Sequence, residues 1–115
     1  MQILVIDDEP LELFLSKRFL GMQHQVEGFG TLSEALAWAK NNSFDVLVSD
    51  YYLGGDTHAT NVLKELIALK GKTFKSFVLT NHVDSNKIDE LTAAGFDGVI
   101  EKPLSMEKFN SVAGL

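Results

Sequence analysis

The sequence has no cysteine, only two prolines and fewer basic than acidic residues. The absence of cysteine excludes disulfide frameworks, thiolate metal sites and cysteine nucleophiles. Ten basic against 16 acidic residues give a net charge of −6, which argues against nucleic-acid binding because phosphate contacts need clustered lysine and arginine. No apolar run approaches the roughly 20 residues that span a bilayer, and the first residues carry no charged start of a signal peptide. We therefore expect a soluble cytoplasmic domain that binds neither nucleic acid nor membranes.

What the sequence does contain is ordinary for one globular domain. Hydrophobic residues make up 45% of its 115 residues and charged residues 23%, which is typical of folded rather than disordered chains. One domain usually takes about 100–200 residues, and a chain of this size buries roughly two-thirds of its unfolded surface. We expect a single domain over residues 1–115, either free-standing or excised from a longer chain.

Short apolar runs alternate with longer segments of helical periodicity. The runs predict strands at residues 3–6, 25–29, 46–50, 77–80 and 99–100. Helices are predicted from Pro10 to about Gly21, from a capping box at Thr31 to about Asn41, over residues 62–69, from a cap at Asp84 or Ser85 to Gly95, and after Ser105. Continuously apolar strands that alternate with helices are typical of a parallel sheet covered on both faces. The sequence therefore predicts a doubly wound α/β fold with a five-stranded parallel sheet.

Charged and polar side chains lie at the ends of the predicted strands, at the edge where the carboxyl ends of the strands meet. They are Asp7, Asp8 and Glu9 after the first strand, Asp50 at the end of the third, Thr80 at the end of the fourth and Lys102 after the fifth. Ligands bind beyond this edge in the predicted fold class. Carboxylates about 4 Å apart repel each other by roughly 4 kcal/mol at an effective dielectric constant near 20. Such a cluster needs a cation, and ligands that are all oxygens favour Mg²⁺.

A carboxylate beside Mg²⁺, with a lysine and a hydroxyl in reach, is suited to phosphoryl transfer. An aspartate can attack as a nucleophile, while the metal and the ammonium group neutralise the phosphoryl oxygens. The residue types at this edge therefore indicate phosphoryl chemistry.

Six positions, taken together and in order, resemble those of a two-component response regulator receiver domain. They are Asp7-Asp8, Asp50, Thr80 and Lys102-Pro103. The separations of 42 residues from Asp8 to Asp50, 30 from Asp50 to Thr80 and 22 from Thr80 to Lys102 fit the same family. The likeness extends over essentially the whole chain. It implies a flavodoxin-like fold with strand order 2-1-3-4-5 and a phosphorylatable signalling switch.

The resemblance also implies roles in phosphoryl transfer. Asp50 would accept the phosphoryl group from a histidine kinase or phosphotransfer protein. Lys102 would pair with the phosphoryl oxygens, Thr80 would hydrogen-bond one of them, and the peptide bond between Lys102 and Pro103 would be cis. Such a domain catalyses its own phosphorylation and dephosphorylation and passes the signal to a downstream partner or output domain.

A Mg²⁺ site is implied by the same resemblance. Asp8 would be a direct ligand and Asp7 would bind the ion mainly through water. Asp50 and the main-chain carbonyl of Tyr52 would supply the other protein ligands.

The sequence departs from the family's pattern in three places. The loop after the acceptor has Gly54-Gly55 where an apolar residue and a proline are usual, and Asn81 stands where a small residue is usual. Val99 occupies the position of an aromatic switch residue. We expect the glycines to loosen the loop and the bulk of Asn81 to narrow access to the phosphorylation site. Val99 removes the usual aromatic signalling step and leaves the phosphorylation itself in place.

Two other functions stay open from the sequence. One is a Mg²⁺-dependent phosphohydrolase of the haloacid-dehalogenase type, but that type usually carries Asp-x-Asp after the first strand and a cap insertion. Here Asp7 and Asp8 are adjacent and no residues remain for a cap. The other is a receiver-like interaction module that no longer uses phosphate. Asn81, Val99 and the missing proline favour it, whereas the presence of Asp8, Asp50, Thr80 and Lys102 argues against it.

Overall fold

The computed structural model describes residues 1–114 and confirms the predicted alternation of strands and helices. The elements are β1 (Gln2–Ile6), α1 (Pro10–Leu20), β2 (Gln25–Phe29), α2 (Leu32–Ala39), β3 (Val46–Asp50), α3 (Ala59–Lys70), β4 (Lys75–Thr80), α4 (Ser85–Ala93), β5 (Gly98–Glu101) and α5 (Met106–Ala113). Within the described residues, no helix combines the length and apolar character that crossing a membrane requires.

The five strands form one parallel sheet in the order β2-β1-β3-β4-β5. The predicted fold class and strand order are thus confirmed. In the register, Ile6 lies opposite Ser49 and Asp50 lies opposite Leu79. The winding direction reverses between β1 and β3, and in such sheets a crevice opens at the carboxyl ends of the strands at this point.

The sheet separates two apolar clusters, because successive side chains of a strand point to opposite faces. One cluster joins alternate strand residues such as Leu4 and Leu47 to α2, α3 and α4. The other joins residues such as Val5 and Val48 to α1 and α5. Both faces of the sheet are therefore covered, which fixes the strand ends in a rigid frame.

Several element boundaries differ from the sequence-based prediction. Helix α2 ends at Ala39, two residues before the predicted Asn41. Helix α3 begins at Ala59, directly after its N-cap residue His58. The backbone N–H of His58 donates to Asn61 Oδ1 at 3.0 Å. Strands β4 and β5 extend beyond their apolar runs, since Lys75 pairs with β3 and Glu101 with β4. Apolar periodicity carries no information about such capping and pairing.

Helix α1 buries less of its apolar surface than its sequence indicates. Ser16 and Leu20 face the core, whereas Leu11 is 62% exposed and Phe14 57% exposed. Apolar residues occupy more of the helix circumference than the contact with β1 and β2 covers. The remainder forms an exposed apolar surface beside the carboxyl edge of the sheet.

Candidate functional site

The three aspartates predicted to form an acidic cluster lie together at the carboxyl edge of the sheet. Asp7 follows β1 directly and Asp50 is the last residue of β3, the neighbouring strand. Carboxylate oxygens of Asp7, Asp8 and Asp50 lie within 4.8 Å of one another. Asp7 and Asp50 are buried, while Asp8 is exposed. The cluster thus has a buried interior and one side open to solvent.

The two buried aspartates differ in their hydrogen bonds. Asp7 Oδ1 accepts from the N–H of Glu9 at 3.0 Å, but the buried Oδ2 has no hydrogen-bond partner among residues 1–114. Asp50 Oδ1 accepts from the N–H of Tyr51 at 3.0 Å and lies 2.9 Å from Lys102 Nζ. Because buried polar atoms are nearly always partnered, the free oxygen of Asp7 marks a place for a cation or a water.

Burial and the charges of neighbouring acids raise the pKa values of both aspartates. Burial raises the pKa of Asp7 to about 7, and the nearby charges of Asp50 and Glu12 contribute to the rise. Burial also raises the pKa of Asp50, although the hydrogen bond and charge of Lys102 oppose the shift. Burial is thus the main reason that both acids hold their protons more strongly than an exposed aspartate does.

Lys102 enters the crevice from the end of β5. Its backbone N–H donates to the carbonyl of Thr80 at 2.8 Å, and its peptide bond with Pro103 is cis, as the resemblance implied. Its side chain is only 13% exposed. Burial alone would lower the pKa of Lys102, but hydrogen bonds to Glu12 and Asp50 outweigh burial and raise it. The ammonium group therefore stays charged beside Asp50.

Glu12 is a site residue that the sequence analysis missed. Its Oε2 lies 2.6 Å from Lys102 Nζ, closer than Asp50 does. Glu12 belongs to the first turn of α1, which begins at the same edge of the sheet. That position was the available signal, but the first turn of a helix commonly carries acids for other reasons.

Thr80 ends β4 in a buried position at the same edge. Its hydroxyl donates to the carbonyl of His82 at 3.2 Å and accepts from Lys87 Nζ, also at 3.2 Å. The structure thus brings Thr80 to the edge that holds Asp50 and Lys102. It also reveals Lys87, which the sequence analysis did not single out.

The loop after Asp50 folds back over the acidic cluster. Tyr52 and His58 form an isolated antiparallel bridge whose hydrogen bonds use the carbonyls of Tyr51 and Thr57. The carbonyl of Tyr52, which is the predicted metal ligand, accepts neither of these two hydrogen bonds. Gly54 has a φ of +84°, and a Cβ there would lie 3.1 Å from Asp8 Oδ2. Glycine therefore suits both the backbone conformation and the close approach to Asp8.

A cavity of about 370 Å³ opens beside Lys102, between α1 and the segment after β5. Leu15, Phe19 and Leu104 line its apolar part, and Asn81 lies on its wall near the charged residues. Val99 packs against the cluster that includes α3 and α4. Of the three departures from the pattern, Asn81 and the Gly54 loop therefore border the site, while Val99 belongs to the packing.

Comparisons with known proteins support this description. The structure of a CheY-like response regulator receiver domain from Methylobacillus flagellatus is 23% identical in sequence and has a TM-score of 0.85. The match covers 99% of this chain and 96% of that chain. A receiver domain structure from Clostridium thermocellum is 24% identical and has a TM-score of 0.83. The match covers 98% of this chain and 90% of that chain. A Burkholderia pseudomallei response regulator, solved with a phosphorylated aspartic acid and a calcium ion, is 23% identical and has a TM-score of 0.83. The match covers 96% of this chain and 65% of that chain. These likenesses establish the fold.

At the level of sequence, no curated protein matches the chain. The family model for the response regulator receiver domain, however, matches residues 3–113. That match includes every strand end that carries a site residue. The chain therefore belongs to the response regulator receiver domain family.

Proposed function

We propose that this domain is a phosphorylatable switch of a two-component phosphorelay and that Asp50 is its phosphoacceptor. The observation that carries the proposal is the position of the Asp50 carboxylate, which lies 2.9 Å from the Lys102 ammonium and belongs to the acidic cluster with Asp7 and Asp8. The phosphorylated aspartic acid in the related Burkholderia pseudomallei structure is consistent with this role.

Mg²⁺ fits the residues of the cluster. The donors are all oxygens, which Mg²⁺ prefers, and the unpartnered Oδ2 of Asp7 is a buried acceptor in need of positive charge. Asp8, Asp50 and the Tyr52 carbonyl would hold the ion, with Asp7 acting mainly through water. When bound, the ion supplies positive charge to the phosphoryl oxygens.

The phosphoryl donor in this proposal is the phosphohistidine of a histidine kinase or phosphotransfer protein. A carboxylate oxygen of Asp50 attacks the phosphorus and forms an O–P bond while the N–P bond to the donor imidazole breaks. The imidazole keeps the electron pair of that bond and takes up a proton. Lys102 neutralises charge on the transferring oxygens, and the Thr80 hydroxyl donates to one of them afterwards. Later attack by water returns the Asp50 carboxylate and releases inorganic phosphate.

The test is incubation with acetyl phosphate and Mg²⁺, followed by intact-mass measurement. We expect a gain of one phosphoryl group, which disappears in Asp50→Asn and when Mg²⁺ is omitted. Asp56→Asn is the matched control, because Asp56 is an exposed acid in the same loop, and this variant should be phosphorylated like the parent. Consumption of acetyl phosphate without any mass gain would indicate a phosphohydrolase, and no reaction would indicate a phosphate-independent interaction module. Either outcome overturns the proposal.

A further inference from the structure

Lys87 is held in a specific position although it lies near the start of a surface helix. Its Nζ donates to Thr80 Oγ1 at 3.2 Å and to the carbonyl of His82 at 2.9 Å. The residue is partly buried and belongs to the first turn of α4. An ordinary surface lysine would extend into solvent, whereas this one is directed back to the hydroxyl beside the phosphorylation site.

Tyr51 connects the same lysine to Asp50. The Lys87 ammonium lies 4.6 Å from the centroid of the Tyr51 ring, within the range of a cation–π interaction. The Tyr51 hydroxyl donates to Glu90 Oε1 at 3.3 Å, so it contacts α4 at a second point. The backbone N–H of Tyr51 donates to Asp50 Oδ1 at 3.0 Å. The neighbour of Asp50 and the hydroxyl of Thr80 thus both meet α4 at Lys87.

Phosphorylation would change the balance of these contacts. An attached phosphoryl group brings a charge of about −1.5 to −2. The Thr80 hydroxyl has a single proton, which it now donates to the His82 carbonyl, and donation to a phosphoryl oxygen would end that bond. Lys87 is a cation in contact with the same hydroxyl, so it would be drawn towards the new negative charge and away from His82 and the Tyr51 ring.

We propose that Lys87 is the positioning residue that transmits phosphorylation of Asp50 to α4. Movement of its ammonium group with the Thr80 hydroxyl displaces the first turn of α4 and releases the contact between Tyr51 and Glu90. This inference rests on the proposed function. A ligand-driven shift requires contacts that differ between the two states, and Lys87 provides them. Val99 cannot do so, because it has no ring to reorient and its χ1 is restricted.

The test follows amide and lysine side-chain chemical shifts with and without beryllofluoride and Mg²⁺. In the parent we expect the Lys87 side-chain signal to move and the amides of residues 87–90 to shift. In Lys87→Met, which keeps the length and removes the charge, the shifts of residues 87–90 should fall to less than half, and Lys87→Arg should restore them. Lys64→Met is the control, because Lys64 is an exposed lysine on α3, and it should behave like the parent.

Two results would overturn the inference: a Lys87 side-chain signal that does not move in the parent, or parental shifts of residues 87–90 in Lys87→Met. The first needs no variant, so the inference is decided even where a variant is unstable. Failure of the proposed function looks different, because the parent then gains no phosphoryl mass and shows no beryllofluoride-dependent shifts anywhere. A parent that gains the mass while α4 responds independently of Lys87 contradicts only the inference.

Discussion

Aspartate and lysine meet at two places on this sheet, with opposite electrostatic results. At the amino end of β4, Asp97 Oδ2 accepts from the N–H of Ser76 at 2.8 Å and lies 3.1 Å from Lys72 Nζ. Burial would raise the pKa of Asp97, but the hydrogen bonds from Ser76 and Lys72 outweigh it, so the pKa lies below its ordinary value. At the carboxyl end, the pKa values of both Asp7 and Asp50 are raised.

The difference separates a structural cluster from an incomplete one. Asp97 Oδ2 accepts from the N–H and the hydroxyl of Ser76 and from Lys72, so this oxygen is satisfied within the chain and the contacts stabilise the fold. Around Lys102, several carboxylates share one cation, and Oδ2 of Asp7 has no hydrogen-bond partner among residues 1–114. A group that the protein leaves unsatisfied at a strand end is therefore better evidence of function than the mere presence of acids.

The largest effect on stability is expected from breaking the structural cluster. Asp97→Ala leaves the buried N–H of Ser76 without its acceptor, which should lower the free energy of unfolding by about 2–3 kcal/mol. The ion pair itself contributes little, since both side chains are more than a third exposed. Urea denaturation measures the change. A loss below about 0.5 kcal/mol would show that water replaces the carboxylate and that Asp97 is not structural.

Replacing an aspartate at the carboxyl end should instead raise the free energy of unfolding. With its pKa near 7, folded Asp7 keeps its proton between about pH 4 and 7, where the unfolded chain has lost it. The free energy of unfolding without Mg²⁺ should therefore fall as the pH rises through this range. Asp7→Asn should reduce that fall, so the metal-free variant should be more stable than the parent at pH 8. Denaturation at pH 5 and pH 8 checks this, and a variant less stable than the parent at pH 8 contradicts it.

Added Mg²⁺ should sharpen the contrast between the two clusters. For an assumed dissociation constant near 1 mM, about 10 mM Mg²⁺ should stabilise the parent by roughly 1.4 kcal/mol, or a few degrees in Tm. Asp8→Asn should lose this gain, while Asp56→Asn, in the nearby loop, should keep it. Thermal melting with and without the ion is the measurement. A parent Tm that does not change with Mg²⁺ would argue against a shared acidic pocket.

The smallest expected effect concerns His24, an unsatisfied group away from the carboxyl edge. Neither ring nitrogen has a hydrogen-bond partner among the described residues, and the ring packs against Phe109 at 5.6 Å. Burial and the N-terminal charge lower its pKa, so stability should fall as the pH drops below about 6.5. His24→Leu should lose less stability than the parent between pH 7 and pH 5, and it should leave the Mg²⁺ effect unchanged. Equal acid sensitivity in the parent and the variant would assign the loss to other groups.

The sequence by itself determined the order of elements and the edge at which the site lies. Apolar runs such as residues 46–48 predict strands buried on both faces, and parallel strands bring their carboxyl ends together. The site residues therefore meet at one edge however the helices pack in detail; they are Asp7, Asp50, Thr80 and Lys102. The capping residues Thr31, Asp84 and Ser105 also act locally, and each accepts from the N–H of the residue three positions later.

Only the tertiary structure decided which long side chains join that edge. The pairing of Glu12 with Lys102 and of Lys87 with Thr80 depends on how α1 and α4 pack against the sheet. Flexible side chains with several rotatable bonds reach many partners, and apolar periodicity fixes the buried face of a helix without fixing its rotation or tilt. For the same reason the sequence could not tell that Ser16 is buried while Phe14 is exposed. Both depend on the area of α1 that the sheet and its neighbours cover.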